Sequence, residues 1–189
     1  METREFVKVP KERIGSIIGP DGKVKSIIEK ETKTRLEIDS EEGNVTIVPT
    51  EEMEDPLAIW KARDIIRAIG RGFSPERAFR LLNDDELLEI VDLTLFTKKS
   101  RNALTRIKGR IIGEGGKTRK IIEEVSGATL SIYGHTVAII GDVDQSRMAK
   151  EAIMMLIEGA PHSTVYNVLQ KRKQALKRKL TSWKPTGET

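Results

Sequence analysis

The chain has 189 residues, 38% hydrophobic and 33% charged, with 33 Lys and Arg against 29 Asp and Glu and a formal net charge of +4. That balance suits a folded chain; no apolar run approaches the roughly 18 residues of a membrane span and the start has no signal-peptide core, so a cytoplasmic protein without a membrane partner is expected. With no cysteine, and with His135 and His162 as the only imidazoles, disulfides are excluded and neither a zinc site nor any other metal or cofactor is expected.

Taken in chain order, REFVKVP at Arg4 to Pro10 alternates as a half-buried strand, with Phe6 and Val7 to Val9 setting its faces. KERIGSII predicts a short helix ending at Gly19. Pro20 cannot continue it, and Gly22 supplies the permissive backbone from which a helix over Lys23 to Glu31 starts. TRLEID and NVTIVP read as two strands joined by a polar turn. Asp55 then caps, and Pro56 begins, a long helix with Ile59, Ala62, Ile66 and Ile69 at helical spacing. Trp60 on that helix is expected to pack on the sheet or on the neighbouring unit.

GRGFSPERAFRLLNDD carries a capped helix start at Ser74, Pro75 and Glu76 and apolar positions at Ala78, Phe79, Leu81 and Leu82, so this connector is expected to pack on one or both flanking units. Asp84, Asp85 and Glu86 read as a helix N-terminus rather than a metal cluster. The order then repeats. ELLEIVDLTLF predicts a strand, Asn102 to Ile112 a helix and Lys117 to Val125 another; TLSIY and TVAII predict strands, and Asp142 or Asp144 opens a helix that closes at Gly159. Tyr133, at a strand end, is read as packing, with stacking on a base as the alternative. His162 reads as a solvated turn residue. A last helix after Pro161 has a basic far end: Lys171 to Lys184 holds seven basic residues and no acidic one, which leaves the rest of the chain at −3.

The repetition is visible residue by residue. Shifted by 94 positions, IIGPDGKVKSIIEKETKTRLEI aligns without a gap on IIGEGGKTRKIIEEVSGATLSI and matches ten of 22 residues. Each copy holds a G-x-x-G turn between two helices, at Gly19, Pro20, Asp21, Gly22 and at Gly113, Glu114, Gly115, Gly116. Unpaired N–H groups at the start of the following helix favour phosphate, and glycine lets a phosphodiester backbone come close. In isolation such a turn is only a helix-to-helix connection; duplicated in this context it points to nucleic acid.

Charge favours the second copy. Lys98 to Lys120 holds nine basic residues against one acidic, whereas Arg4 to Ser26 holds six against three. Lys117, Arg119 and Lys120 are expected to neutralise phosphates, Lys108 and Arg110 to extend the positive edge, and Ile111 and Ile112 to floor a base groove. Lys23 and Lys25 are the first copy's counterparts. No Ser/His/Asp, Cys/His or paired-carboxylate constellation emerges, so no catalytic residue is expected.

The residues IIGPDGK and IIGEGGK, with SGATL after the second, resemble KH domains of the eukaryotic-type topology. Two such units joined by GRGFSPERAFRLL resemble the archaeal branch of a family of small-subunit ribosome-assembly factors. The resemblance implies an α+β chain of two tandem type I KH domains (β-α-α-β-β-α), each a three-stranded sheet packed on helices, joined by a helical linker. The expected divisions are 1–72, 73–86, 87–160 and a basic C-terminal helix and tail over 161–189. It further implies single-stranded RNA as ligand, specifically small-subunit rRNA near its 3′ end, with a Nob-type endonuclease or other assembly or translation factors as protein partners. In eukaryotic members the first unit tends to lack the turn and act as a scaffold. This chain departs from the general KH pattern in two ways: an acidic residue, Asp21 or Glu114, sits in each turn, and Lys25 and Arg119 stand where an apolar groove residue is usual. The acidic turns leave open a protein-interaction scaffold with incidental RNA contact.

Overall fold

The computed structural model describes residues 4–182. The first unit runs β1 (Glu5–Lys8), α1 (Lys11–Ile18), α2 (Lys23–Thr32), β2 (Thr34–Asp39), β3 (Asn44–Pro49) and α3 (Ala58–Gly70). The second repeats that order with β4 (Leu87–Asp92), α5 (Arg101–Ile112), α6 (Lys117–Ser126), β5 (Thr129–Tyr133), β6 (Thr136–Gly141) and α7 (Val143–Ile157). Between them lies α4 (Pro75–Ala78), continued by a 3₁₀ turn over Phe79–Leu82, and α8 (His162–Ser182) follows. Lys184, within the predicted basic tail, is outside the described residues.

Both sheets are antiparallel with the last strand central, ordered β1-β3-β2 and β4-β6-β5. In the first sheet Val7, Leu36, Val45 and Ile47 point inward and are buried with Ile14, Ile17 and Ile28 of α1 and α2. Full burial of such a side chain is worth about 1.5–3 kcal/mol. On α3 the predicted stripe of Ile59, Ala62, Ile66 and Ile69 is buried.

Several local expectations change. Asp55 accepts the Leu57 N–H at 2.9 Å and so closes a turn, but α3 begins only at Ala58. The strand predicted through Phe96 ends at Asp92, whose carboxylate accepts both the backbone N–H and the hydroxyl of Thr94 and turns the chain into a 3₁₀ segment. Ser74 sits at the N-cap of α4 without a side-chain cap bond. Asp84 to Glu86 lead into β4 rather than starting a helix; Asp84 pairs with Lys61 and Glu86 with Arg80. Trp60 is 47% exposed, so only part of it packs, and Phe6 is 73% exposed. Of the two candidates Asp142 is the α7 cap, forming a capping box with Gln145.

The two units are docked through the connector. Phe73, Ala78 and Leu81 are buried in one core with α3 and with Ala138 and Ile140 of β6. Val137 and Ile139 point the other way, into the core of α5 to α7, so β6 is buried on both faces. Polar contacts surround this seam. Arg13 donates to the carbonyls of Ile69 and Phe73 at 2.8 Å each, and the Ser131 hydroxyl donates to the Arg71 carbonyl at 2.8 Å. Arg77 bonds Glu123 at 2.6 Å, and Arg80 reaches Gly127 and Gln145.

Candidate nucleic-acid interface

The two turns have one geometry. Gly19 and Gly113 end the preceding helix, each N–H returning to a carbonyl four residues back, at φ 71° and 75°. A short 3₁₀ turn follows, and Gly22 and Gly116, at φ 72° and 79°, occupy the N-cap of the next helix without any side-chain cap bond. The Lys23 and Lys117 N–H groups turn back to the Pro20 and Glu114 carbonyls, while the next donors of that first helical turn receive no side-chain cap and lie at the helix's positive end.

The glycines divide the work. A Cβ on Gly113 would stand 2.2 Å from Thr118 Oγ1, and one on Gly19 would stand 2.3 Å from Val24 Cγ2, so the first glycine serves the close packing of the next helix. A Cβ on Gly115, Gly116 or Gly22 meets nothing within 4 Å, which leaves that side of the turn open to an approaching ligand. The first copy carries Asp21 where the second has Gly115, and both hold a left-handed backbone at φ 53° and 59°. Pro20 and Glu114 occupy the position before, both exposed.

Around the second turn, Lys117 and Lys120 are exposed and have no ion-pair partner among the described residues. Lys23 stands in the same way at the first turn. Arg119 lies 3.8 Å from Glu123, as Lys25 lies 3.9 Å from Glu29, and each glutamate also accepts a strand N–H, from Leu130 or Leu36, at 2.8 Å. These two cations are thus steadied, and partly balanced, by a carboxylate that anchors the helix to the sheet. Lys108 spans from α5 to the β5–β6 turn, its ammonium donating to the Gly134 carbonyl at 2.7 Å.

Two predicted site residues serve the fold instead. Arg110 donates to the carbonyls of Leu156, at 3.1 Å, and Ala160, tying α5 to the end of α7, so its guanidinium is not a free positive edge. Ile111 is fully buried and supports the turn from below, offering no face to a base; Ile112 is half-buried. Tyr133 donates to Glu12 of the first unit and lies under the Arg13 guanidinium, 5.8 Å from the ring centroid, so it packs at the seam between units. The bond to Tyr133 holds the Glu12 carboxyl below its ordinary pKa and raises that of the tyrosine.

The start of α8 closes the back of the second turn. His162 Nε2 lies 2.9 Å from the Arg110 carbonyl oxygen and is a structural contact rather than a solvated turn residue. Tyr166 and Thr118 share a hydroxyl bond of 2.9 Å. With Arg106 and Lys117 they border a concavity of about 400 Å³ beside Gly113, one that residue spacing gave no means of assembling. Among the described residues no group of three or more His, Asp or Glu gathers as a metal site would.

The family described as a eukaryotic type KH domain (KH-domain type I) matches residues 87–174, and that described as the Krr1 KH1 domain matches residues 5–84. Over 185 residues the chain is 49% identical to a KH domain-containing protein of Methanocaldococcus jannaschii, covering 97% of this chain and 81% of that one. The chain belongs to this two-KH-domain family. It is 32% identical over 177 residues to the pre-rRNA-processing protein pno1 of Aspergillus fumigatus, covering 90% of this chain and 68% of that protein. It spans about half the length of the animal PNO1 proteins it also matches. The solved a/eIF2alpha–aDim2p–rRNA complex of Pyrococcus horikoshii contains a chain 57% identical, with a TM-score of 0.87 over 92% of this chain and 96% of that one. The α+β architecture of two KH domains is that of these relatives.

Proposed function

We propose that the protein binds single-stranded RNA, small-subunit rRNA near its 3′ end, during ribosome assembly or rRNA maturation, and that the second turn is its grip. The observation that carries this reading is the open helix start at Gly113 to Gly116, which no side chain caps, flanked by Lys117 and Lys120 without an ion-pair partner among the described residues. Backbone N–H groups would meet phosphate there, Lys117, Arg119 and Lys120 would balance its charge, and a clamp of this kind holds about four nucleotides. The rRNA-bound relative and the pre-rRNA-processing relative support the target. On this reading the protein is an archaeal, cytoplasmic binding factor and not an enzyme. It works beside a Nob-type endonuclease and contacts translation or assembly factors, as the a/eIF2alpha complex of its relative suggests. Residues 1–72 and 87–160 are the proposed domain bounds, with 73–86 as linker and 161–189 as helix and tail.

A scaffold reading draws on Asp21 and Glu114, whose carboxylates stand exposed in the turns where phosphate would approach. Crosslinking to total RNA from a matched source separates the two. Wild type should crosslink at the small-subunit rRNA 3′ end and a Gly115→Asp, Gly116→Asp variant should not. Equal crosslinking by both would transfer the function to protein docking.

A further inference from the structure

Far from either turn, the first unit has a second cationic feature, which nothing in the KH clamp accounts for. The free edge of β1 and the exposed side of α3 enclose a trough of about 320 Å³. Arg63, Arg67 and Arg71 enter it at successive helical turns, Lys8 enters from the strand, and no acidic side chain lines it. Glu5 at 3.9 Å and Asp64 at 3.1 Å hold Arg63 in place, and Asp64 lies 3.6 Å from Arg67. Among the described residues Lys8 approaches only Glu42, at 3.9 Å with both side chains about two-thirds exposed, a pair that water screens. Beside these cations stands Phe6, an apolar ring 73% exposed.

The Arg71 end of the trough meets the second unit. The Arg71 carbonyl accepts the Ser131 hydroxyl, and a Cβ on Gly72 would stand 2.8 Å from Tyr133 Cβ, so the end of α3 abuts β5. Tyr133 leads directly into Gly134, whose carbonyl receives Lys108 from the helix before the second turn. The end of α3 therefore stands beside the strand that leads into the turn Lys108 reaches, with Glu12 on Tyr133 and Asp92 near Arg71 as the acidic groups along that stretch.

We propose that this trough is a second RNA subsite, taking the single strand that leaves the second unit's clamp, with phosphates on Arg67, Arg71 and Lys8 and a base stacked on Phe6. The inference rests on the RNA-binding reading above and lengthens its footprint beyond one clamp. Planar guanidinium groups suit phosphate, and an exposed aromatic ring stacks on any base. A protein strand added to the β1 edge fits less well, because β1 is four residues long, bears Lys8 and is followed by Pro10, features that discourage edge pairing.

The test uses the full chain carrying Lys8→Gln, Arg67→Gln and Arg71→Gln, titrated with RNA of about five and about twelve nucleotides. Arg63 is left intact because Glu5 and Asp64 depend on it. The expected result is a loss of at least about tenfold in affinity for the longer RNA, and a salt slope shallower by about 2, taking about 0.7 per lost contact. Affinity for the short RNA should equal wild type, which also shows that the variant is folded. Unchanged binding of the longer RNA overturns the subsite and leaves the trough to an acidic protein segment. An equal loss for both lengths overturns it as well, because the charges would then act only on the clamp. A parallel Gly116→Asp chain keeps the readings apart: if it binds the longer RNA like wild type, the clamp itself is wrong.

Discussion

Gly113 and Gly115 are neighbours in one turn with opposite tolerances. At Gly113 the backbone is left-handed and a side chain would collide with Thr118, so Gly113→Ala should cost about 1–3 kcal/mol, measured by denaturant unfolding. At Gly115 the space is open, and the first copy already places Asp21 in the same conformation. Gly115→Asp should therefore cost only the left-handed strain of an L residue, about 1 kcal/mol, with no steric clash added, while opposing phosphate. Asp92 gives a pH signature. The bonds from Thr94, aided by Arg71 and His135, hold its carboxyl below the ordinary value, so it adds stability above about pH 4 that disappears as pH falls through the lower folded value. An Asp92→Asn protein should be less stable at neutral pH and lose less than wild type between about pH 4 and that folded value, followed by thermal unfolding across pH.

At the scale of elements, the connector decides whether the two units form one body. Phe73 is buried where α3, the connector and the outer face of the second sheet meet, and Phe73→Ala should destabilise by about 3–5 kcal/mol. Calorimetry should then show the single transition of wild type splitting or falling, with both units affected. Most elements were legible because their boundaries rest on local chemistry: glycine ends α1 and α5, and apolar alternation marks β2. The misreadings have equally local causes. Asp92 captures Thr94 and ends β4 early, an event that an apolar run through Leu93 and Leu95 conceals. The apolar connector announced the docking, and the unbroken apolar run of β6 carries the same message, since a strand covered on one face would alternate as β2 does.

For the whole molecule, the duplicated turn located the candidate grip, but spacing cannot say which cations are already occupied. Arg110 counts as positive in any charge window, yet the fold ties it to the carbonyls ending α7; Lys117 and Lys120 count the same and remain exposed. The trough on the first unit was illegible for a related reason, because Lys8 and the α3 arginines are separated by more than fifty residues and meet only after the sheet forms. Both cationic regions belong to one proposed path for a single strand of RNA. The central claim is that the second turn, not the first, is the principal grip. Fluorescence anisotropy of a labelled single strand from the small-subunit rRNA 3′ end, titrated over a range of salt, tests it on wild type, Gly22→Asp and Gly116→Asp. For a strand too short to reach the trough, about five phosphate contacts at the second turn predict a log–log salt slope near −3.5 for wild type, and about three more in the trough would steepen it by about 2 for a longer strand. Binding should be abolished in Gly116→Asp and weakened only modestly in Gly22→Asp, whereas equal affinity of wild type and Gly116→Asp, or a slope near zero, would contradict the account.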